Sequence, residues 1–328
     1  MPPSRSGREE RRPRAPEEDP AGGPVRDPVV AAVVVTYQPE LDTLSRLLAA
    51  LALQVSLTLI VDNGSATDLG QWLPAAFRPD VIVVPLGANQ GIARAQNIGI
   101  AKAKEWGADY VVLSDQDSLP QEGMIAALLS AAERLRARGV RVACTGPRYL
   151  DPRHDNPPPF LRVEGLRLKR LSCEGEPVVA VDYLVSSGCL IPLDVIAAVG
   201  PMREELFIDY VDIEWGLRAR HCGYQSFGVC TALMTHSLGE TPARWFSRRV
   251  PVHTPLRHYY HFRNAILLYR LPWPPLNWKL VDGARLLLRY GFYALMTKPR
   301  RTHWWMMTLG IWHGLCNRSG RYPGSGSG

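Results

Sequence analysis

From residue 29 to residue 147 the chain alternates short apolar runs with longer stretches of helical spacing. VVAAVVVTY (29–37) is a continuous β-branched run. Such a run fits a strand covered on both faces, and Pro39 ends it. LDTLSRLLAALALQ (41–54) places leucines at helical spacing. SLTLIVDNGS (56–65) and VIVVPL (81–86) predict a second and a third strand. NQGIARAQNIGIAKAKEWG (89–107) predicts a small-residue helix stopped by Gly107. DYVVLSD (109–115), EGMIAALLSAAERLRARG (122–139) and VRVACTGP (140–147) continue as strand, helix and strand. This rhythm predicts an α/β fold, a mostly parallel Rossmann-like sheet flanked by helices. In such sheets ligands bind past the carboxyl ends of the strands.

After residue 150 the pattern loosens. DPRHDNPPPF (151–160) reads as a proline-rich loop and YLVSSGCLIP (183–192) as a strand-like run with a Ser-Ser-Gly turn. LFIDYVDIEWGLRARHCG (206–223) starts apolar and becomes a helix stopped by Gly223. YQSFGVCTALMTHSLG (224–239) leads to His236. Residues 241–317 predict basic, aromatic helices.

Charge sharpens that division. The net charge is +7, and from Thr241 onward there are fourteen Lys or Arg, fifteen aromatics and a single acid, Asp282. Such a tail suits an anionic membrane surface or a nucleic acid, and equally a solvated basic face. No run reaches the roughly 20 apolar residues a spanning helix needs. Residues 1–27, rich in Pro, Arg, Glu and Gly, predict a disordered tail without a signal peptide. Residues 318–328 end in GSGSG and read as a flexible linker. The six cysteines form no C-x-x-C pair, which predicts separate thiols in a reducing compartment.

Three predicted strand ends carry polar residues: Thr36-Tyr37, Asp62-Asn63-Gly64-Ser65 and Asp115-Gln116-Asp117. Their convergence on one crevice is the strongest chemical signal in the chain. Asp115 and Asp117 can hold a divalent ion, since Mg²⁺ takes one or two carboxylates and completes its shell with phosphates and water. An isolated D-x-D is more often a helix cap; the strand-end position favours the metal. Asp62 can accept from a base N–H or simply close an Asx turn. Arg94, near a helix start, can meet a diphosphate, or the helix is only well packed. Asp209, Asp212 and Glu214 are candidate general bases, or helix-start acids with Arg218 as partner of Glu214. His236 becomes a ligand candidate only through the metal proposed at Asp117.

VVVTYQPE, VDNGS, NQGIARAQNIG, DQDS, SSGCLIP and FIDYVDIEWGLR occur in that order over about residues 29–240. The set resembles glycosyltransferase family 2, inverting nucleotide-sugar transferases of the GT-A fold. It is most similar to bacterial rhamnosyltransferases of surface-polysaccharide synthesis, such as those building O-antigen. The resemblance implies a GT-A domain over 28–240. It places Thr36, Tyr37 and Asp62 on the nucleoside, Arg94 and Asn97 in the donor pocket, and Asp115 on the ribose or donor sugar. Asp117 and His236 would hold Mg²⁺ or Mn²⁺. Asp212 would be the catalytic base. Val211 departs from the family's paired acids, leaving open whether Asp209 takes the missing role. Glu214 and Trp215 would border the acceptor. The implied donor is dTDP-rhamnose, and the implied acceptor a glycan or lipid-linked glycan. The C-terminal helices would dock the enzyme on the cytoplasmic face of the membrane. A UDP-hexose or UDP-galactofuranose donor is the alternative within the family. A non-enzymatic nucleic-acid-binding protein is the alternative outside it, although the chain carries no recognised nucleic-acid motif.

Overall fold

The computed structural model describes residues 26–150, 159–175, 177–235, 243–245, 248–250 and 253–324. In chain order the first elements are β1 (Val30–Thr36), α1 (Leu41–Ala52), β2 (Leu57–Asp62), α2 (Leu69–Trp72), β3 (Val81–Pro85) and α3 (Ile92–Trp106). Next come β4 (Tyr110–Asp115), β5 (Leu119–Pro120), α4 (Met124–Ala137), β6 (Val142–Leu150), β7 (Phe160–Glu164), β8 (Arg167–Leu171) and β9 (Val178–Val181). The chain continues through β10 (Leu190–Pro192), α5 (Leu193–Val199), α6 (Val211–His221) and β11 (Gln225–Thr235). The last elements are β12 (Ala243–Trp245), β13 (Arg248–Val250), α7 (Pro255–Tyr269), α8 (Leu276–Met296) and α9 (Arg300–Leu315).

The β-branched runs form the buried half of the sheet, in the order β3-β2-β1-β4, all parallel. Every residue of β1 and β2 is buried, because helices cover both faces. Ala31, Val33 and Val35 of β1 share a cluster with Ala93, Ile100 and Ala103 of α3. Ala32 and Val34 pack on the other face with Leu44, Leu47, Leu48 and Leu51 of α1 and with α4. A strand's period of two thus divides its side chains between two cores.

The other half of the sheet mixes directions. β10 runs antiparallel between β4 and β6, β11 pairs parallel with β6, and β5 and β9 pair antiparallel with β11. The run 183–192 predicted a longer strand than forms. Only Leu190–Pro192 is extended, because Gly188 turns the chain at φ +76°. The helix predicted within 206–223 begins only at Val211. α5, β9 and the β7–β8 hairpin lie where the sequence pattern was loose.

One expectation is corrected. Cys173 and Cys230 form a disulfide, 57 residues apart in sequence. The antiparallel pairing of β9 with β11 brings that part of the chain beside Cys230, so linear spacing carried no sign of the bond. Cys144, Cys189, Cys222 and Cys316 are free thiols.

The C-terminal helices lie on the larger of the two cores through Phe262, Leu268, Trp278, Leu286 and Met307. Among the described residues, no helix is long and apolar enough to cross a membrane. Of residues 318–328, which read by composition as a flexible linker, the described part, 318–324, returns onto α7 and the segment before α6. Gly320 N–H donates to Glu205 O (2.6 Å) and Tyr322 N–H to the Tyr260 hydroxyl (2.8 Å).

The tightest helix–sheet approach is at Gly99. A Cβ there would stand 2.3 Å from Cγ1 of Val33 and 3.0 Å from Cγ2 of Val61. Gly99→Val therefore forces α3 off the sheet and is expected to cost about 1–3 kcal/mol, read as a lowered midpoint in thermal denaturation. An unchanged midpoint would refute the packing described.

Candidate active site

Parallel register sets the first three polar positions side by side. Thr36 pairs with Asp62, and Val35 with Asp115. Asp62 is buried and accepts from Thr36 Oγ1 (3.2 Å), from Ser65 N–H (3.2 Å to Oδ2) and from Ser65 Oγ. The turn and the strand-end carboxylate are one feature: the Asp62–Ser65 turn holds the carboxylate at the crevice. Tyr37 is exposed, and its backbone exchanges two hydrogen bonds with the Gln116 amide (2.7 and 3.2 Å). The ends of β1 and β4 are thereby tied together.

The D-Q-D-S segment is a turn closed by Ser118 N–H to Asp115 O (3.3 Å). It leaves Asp115 half-buried and Asp117 exposed. α4 is capped by Gly123, without a side-chain cap bond. Asp117 is therefore not that helix's cap. The S-S-G turn supports this segment from below. Ser187 Oγ accepts from Asp115 N–H (3.0 Å) and donates to Ser118 Oγ (2.8 Å), and Tyr149 donates to Ser187 O (2.7 Å).

α3 begins at Gly91, with φ +89° and a Cβ position 2.7 Å from Phe207. Only glycine admits the contact in which Ile92 N–H donates to Phe207 O (2.7 Å). Arg94 projects from the first turn, half exposed and 4.0 Å from Glu204. Asn97 is engaged within the fold. Its amide clamps Met202 through two bonds (both 2.9 Å) and reaches Glu204 (3.0 Å), which engages both ends of the side chain.

The segment before α6 holds the most unusual backbone. Phe207, Asp209 and Tyr210 all have positive φ, at 66°, 63° and 65°. Left-handed non-glycine residues cost about 1–3 kcal/mol each and persist only where the surroundings over-determine them. α7 supplies that constraint. Asn264, fully buried, donates to the carbonyls of Leu206 (2.8 Å), Ile208 (2.7 Å) and Asp209 (2.9 Å). Arg263, also fully buried, donates to Leu206 O (3.0 Å), and Phe207 stacks on Tyr260 (5.1 Å). From α8, Asp282 accepts from the Tyr210 hydroxyl (2.8 Å) and from the Tyr269 hydroxyl (2.7 Å).

This braced segment delivers Asp212 in the first turn of α6. Burial pushes its carboxyl up from 3.8 to about 6, and the charges of Asp209 and Asp115 push the same way. Backbone donors at Ile213 and Ser186 pull against the shift. The charge of Asp115 and the backbone donor of Ser186 both act on Asp212, which places it near the end of β4. A carboxyl so poised can take a proton near neutral pH. Asp209 pairs with Arg257 (3.3 Å) and acts on Asp212 through its charge. Val211 is buried in the larger apolar core.

Two of the expected acceptor-side residues are buried. Glu214 is fully buried and paired with Arg218 (2.9 Å), which itself donates to Val199 O and Pro201 O. Trp215 is likewise buried, its indole N–H on Gly200 O (3.0 Å), and it lines a small apolar cavity beside Asp212. His236 lies outside the described residues. Among the described residues no cluster of three His, Cys, Asp or Glu could enclose a metal. The oxygens of Asp115 and Asp117 fit instead a hard cation that shares its shell with a phosphate and water.

Sequence reasoning missed Arg263, Asn264 and Asp282. The signal was present in HFRNAILL (261–268), where Arg and Asn interrupt an apolar stretch. It was absorbed into the general basic character of the tail.

Comparison with known proteins agrees with this geometry. The family described as Glycosyl transferase family 2 matches residues 32–182. The dTDP-rhamnosyl transferase RfbF of Shigella flexneri is 36% identical over 75% of this chain and 82% of its own length. The N-acetylglucosaminyl-diphospho-decaprenol L-rhamnosyltransferase of Mycobacterium tuberculosis is 29% identical over 66% of this chain and 79% of its own length. Among solved structures, GalNAc-T7 with UDP, GalNAc and Mn²⁺ superposes with a TM-score of 0.59 at 13% identity, over 88% of this chain and 58% of that one. S. aureus TarS 1-349 with UDP-GlcNAc gives 0.54 at 16% identity, over 87% of this chain and 81% of that one. These two likenesses speak for the fold alone. Family membership makes the chain an enzyme and removes the reading as a non-enzymatic nucleic-acid-binding protein: it belongs to glycosyltransferase family 2.

Proposed function

We propose that the enzyme transfers rhamnose from dTDP-L-rhamnose to a hydroxyl of a glycan or lipid-linked acceptor, with inversion at the anomeric carbon. The observation that carries the mechanism is Asp212, whose carboxyl is raised to about 6 at the crevice. The donor assignment draws on the two rhamnosyltransferase relatives. The named acceptor of the mycobacterial relative favours a lipid-linked acceptor here, and with it a place on the cytoplasmic face of the membrane.

The step balances simply. The acceptor oxygen attacks the anomeric carbon, and the bond from that carbon to the diphosphate breaks with its electron pair on the leaving group. The acceptor proton passes to Asp212. The leaving group departs as an anion, so no acid of the glycosidase kind is required. Asp62 and Thr36 would receive the nucleoside at the ends of β2 and β1, with Tyr37 beside them. Arg94 would face the diphosphate from the first turn of α3. Asp117, with Asp115 and with His236 from outside the described residues, would hold Mg²⁺ or Mn²⁺. Such an ion neutralises charge on the leaving diphosphate.

Transfer from dTDP-rhamnose is expected to exceed transfer from UDP-hexose or UDP-galactofuranose, measured by product mass. A preference for a UDP donor would overturn the donor assignment. Chelation should abolish transfer and Mg²⁺ or Mn²⁺ restore it; indifference to chelator removes the metal.

kcat/KM should rise with pH through about 6 as Asp212 ionises. The raised value also has a sign for stability. Between 3.8 and about 6 the folded state binds the Asp212 proton more tightly than the unfolded chain. Its contribution to stability is therefore lost as pH rises through that window. Asp212→Asn is thus expected to lower transfer by about 10²–10⁴-fold and to raise the thermal midpoint at neutral pH. Near-normal transfer by this variant removes the base.

Asn264→Ala removes the side-chain donor to the carbonyls of Ile208 and Asp209 and one of the donors to Leu206 O, which keeps Arg263. It should cost about 1–3 kcal/mol of stability and lower kcat more than it raises the donor KM. Kinetics indistinguishable from wild type would show that α7 does not position the base.

A further inference from the structure

The C-terminal helices carry large apolar side chains that the protein core does not use. On α8, Leu276, Leu280 and Leu287 are 71%, 54% and 73% exposed, and Leu295 is 65% exposed. At about 100° per residue these four fall within a third of the helix circumference. On α9, Trp304, Trp305 and Trp312 are 47%, 55% and 60% exposed, again on one side. A short turn, Thr297-Lys298-Pro299, joins the two helices. The exposed Leu295 and the exposed Trp304–Trp305 pair thus flank a corner that carries Lys298, Arg300 and Arg301, all exposed.

A second element extends this surface. The β7–β8 hairpin ends in Gly165-Leu166, and Asn277 of α8 donates to Gly165 O (3.1 Å). Leu166, at the tip, is 68% exposed and stands beside the start of α8, where Leu276 is exposed. Arg167, Lys169 and Arg170 follow it on β8, all exposed. The apolar surface thus runs from the hairpin tip along α8 to the corner with α9.

Its charge is of one sign. Asp282 is the sole acid from residue 241 to the end, and it accepts from Tyr210 and Tyr269. Glu164 of the hairpin is bound to Arg162 and Lys169. Two copies of such a face would repel each other. Exposed tryptophans and leucines set among lysines and arginines fit the boundary of an anionic bilayer.

We propose that the β7–β8 hairpin tip, the outer face of α8 and the α8–α9 corner together form a docking surface for an anionic phospholipid bilayer. Asp282 links the inner side of α8 to Tyr210, two residues before Asp212, so docking holds the base at the membrane. That last link rests on the proposed transfer to a lipid-linked acceptor; the docking surface itself does not.

Flotation of the full chain with phosphatidylcholine vesicles, with or without about 30% phosphatidylglycerol, tests the surface. Binding to the anionic vesicles is expected to exceed binding to neutral ones by at least about tenfold. Leu166→Asp alone, and the pair Trp304→Ala and Trp305→Ala, should each weaken binding by about tenfold. Both variants should keep wild-type hydrolysis of the nucleotide sugar, which certifies their fold. Equal binding to both vesicle types, or undiminished binding by Leu166→Asp, overturns the proposal. So does light scattering that shows a dimer dissociated by the same substitutions. Vesicle binding without sugar transfer would sink the functional reading and leave the docking surface standing.

Discussion

Three left-handed residues, Phe207, Asp209 and Tyr210, are held in place by one buried amide. That constraint sets where Asp212 stands in the fold. The backbone of this segment is unfavourable on its own, yet it ends two residues before Asp212. Asn264 satisfies three of its carbonyls from a single side chain, with Arg263 beside it. Both are fully buried polar groups, so each would be costly without these partners. Strain and desolvation thus offset each other across the interface between the catalytic domain and α7. The C-terminal helices are part of the site's architecture as well as candidates for contact with a membrane.

The raised carboxyl follows from the same arrangement. The segment carries Asp212 into the first turn of α6, partly away from water and within reach of two other acids. A helix N-terminus favours the anion, and Ile213 and Ser186 donate to it, but burial outweighs them. The result is a carboxyl able to take a proton near neutral pH. The parallel half of the sheet plays the complementary part. Register aligns Thr36, Asp62 and Asp115 at neighbouring strand ends, and side-chain bonds at Ser65, Gln116 and Ser187 keep them there.

Much of this was readable in the chain because it is local. β1, β2 and β4 are uninterrupted β-branched or apolar runs, and their polar endings are consecutive residues. The D-Q-D turn and the base candidate Asp212 were legible for the same reason. What was not legible depends on partners distant in sequence. Asn97 looks free in its helix, yet it is engaged by Met202 and Glu204. Glu214 looks like an acid beside the base, yet the helical turn sends it to Arg218 in the core. The Cys173–Cys230 bond required the pairing of β9 with β11. Asn264 sat inside a stretch whose composition suggested only a basic surface.

The central claim is that a fold-enforced environment keeps Asp212 ionising far above an ordinary aspartate. Carboxyl ¹³C chemical shifts followed by NMR across a pH titration, for the wild type and for Asp212→Asn, test it directly. The account predicts one aspartate titrating at about 6 that disappears in the variant. A full set of aspartates titrating near 3.8 in the wild type would contradict it.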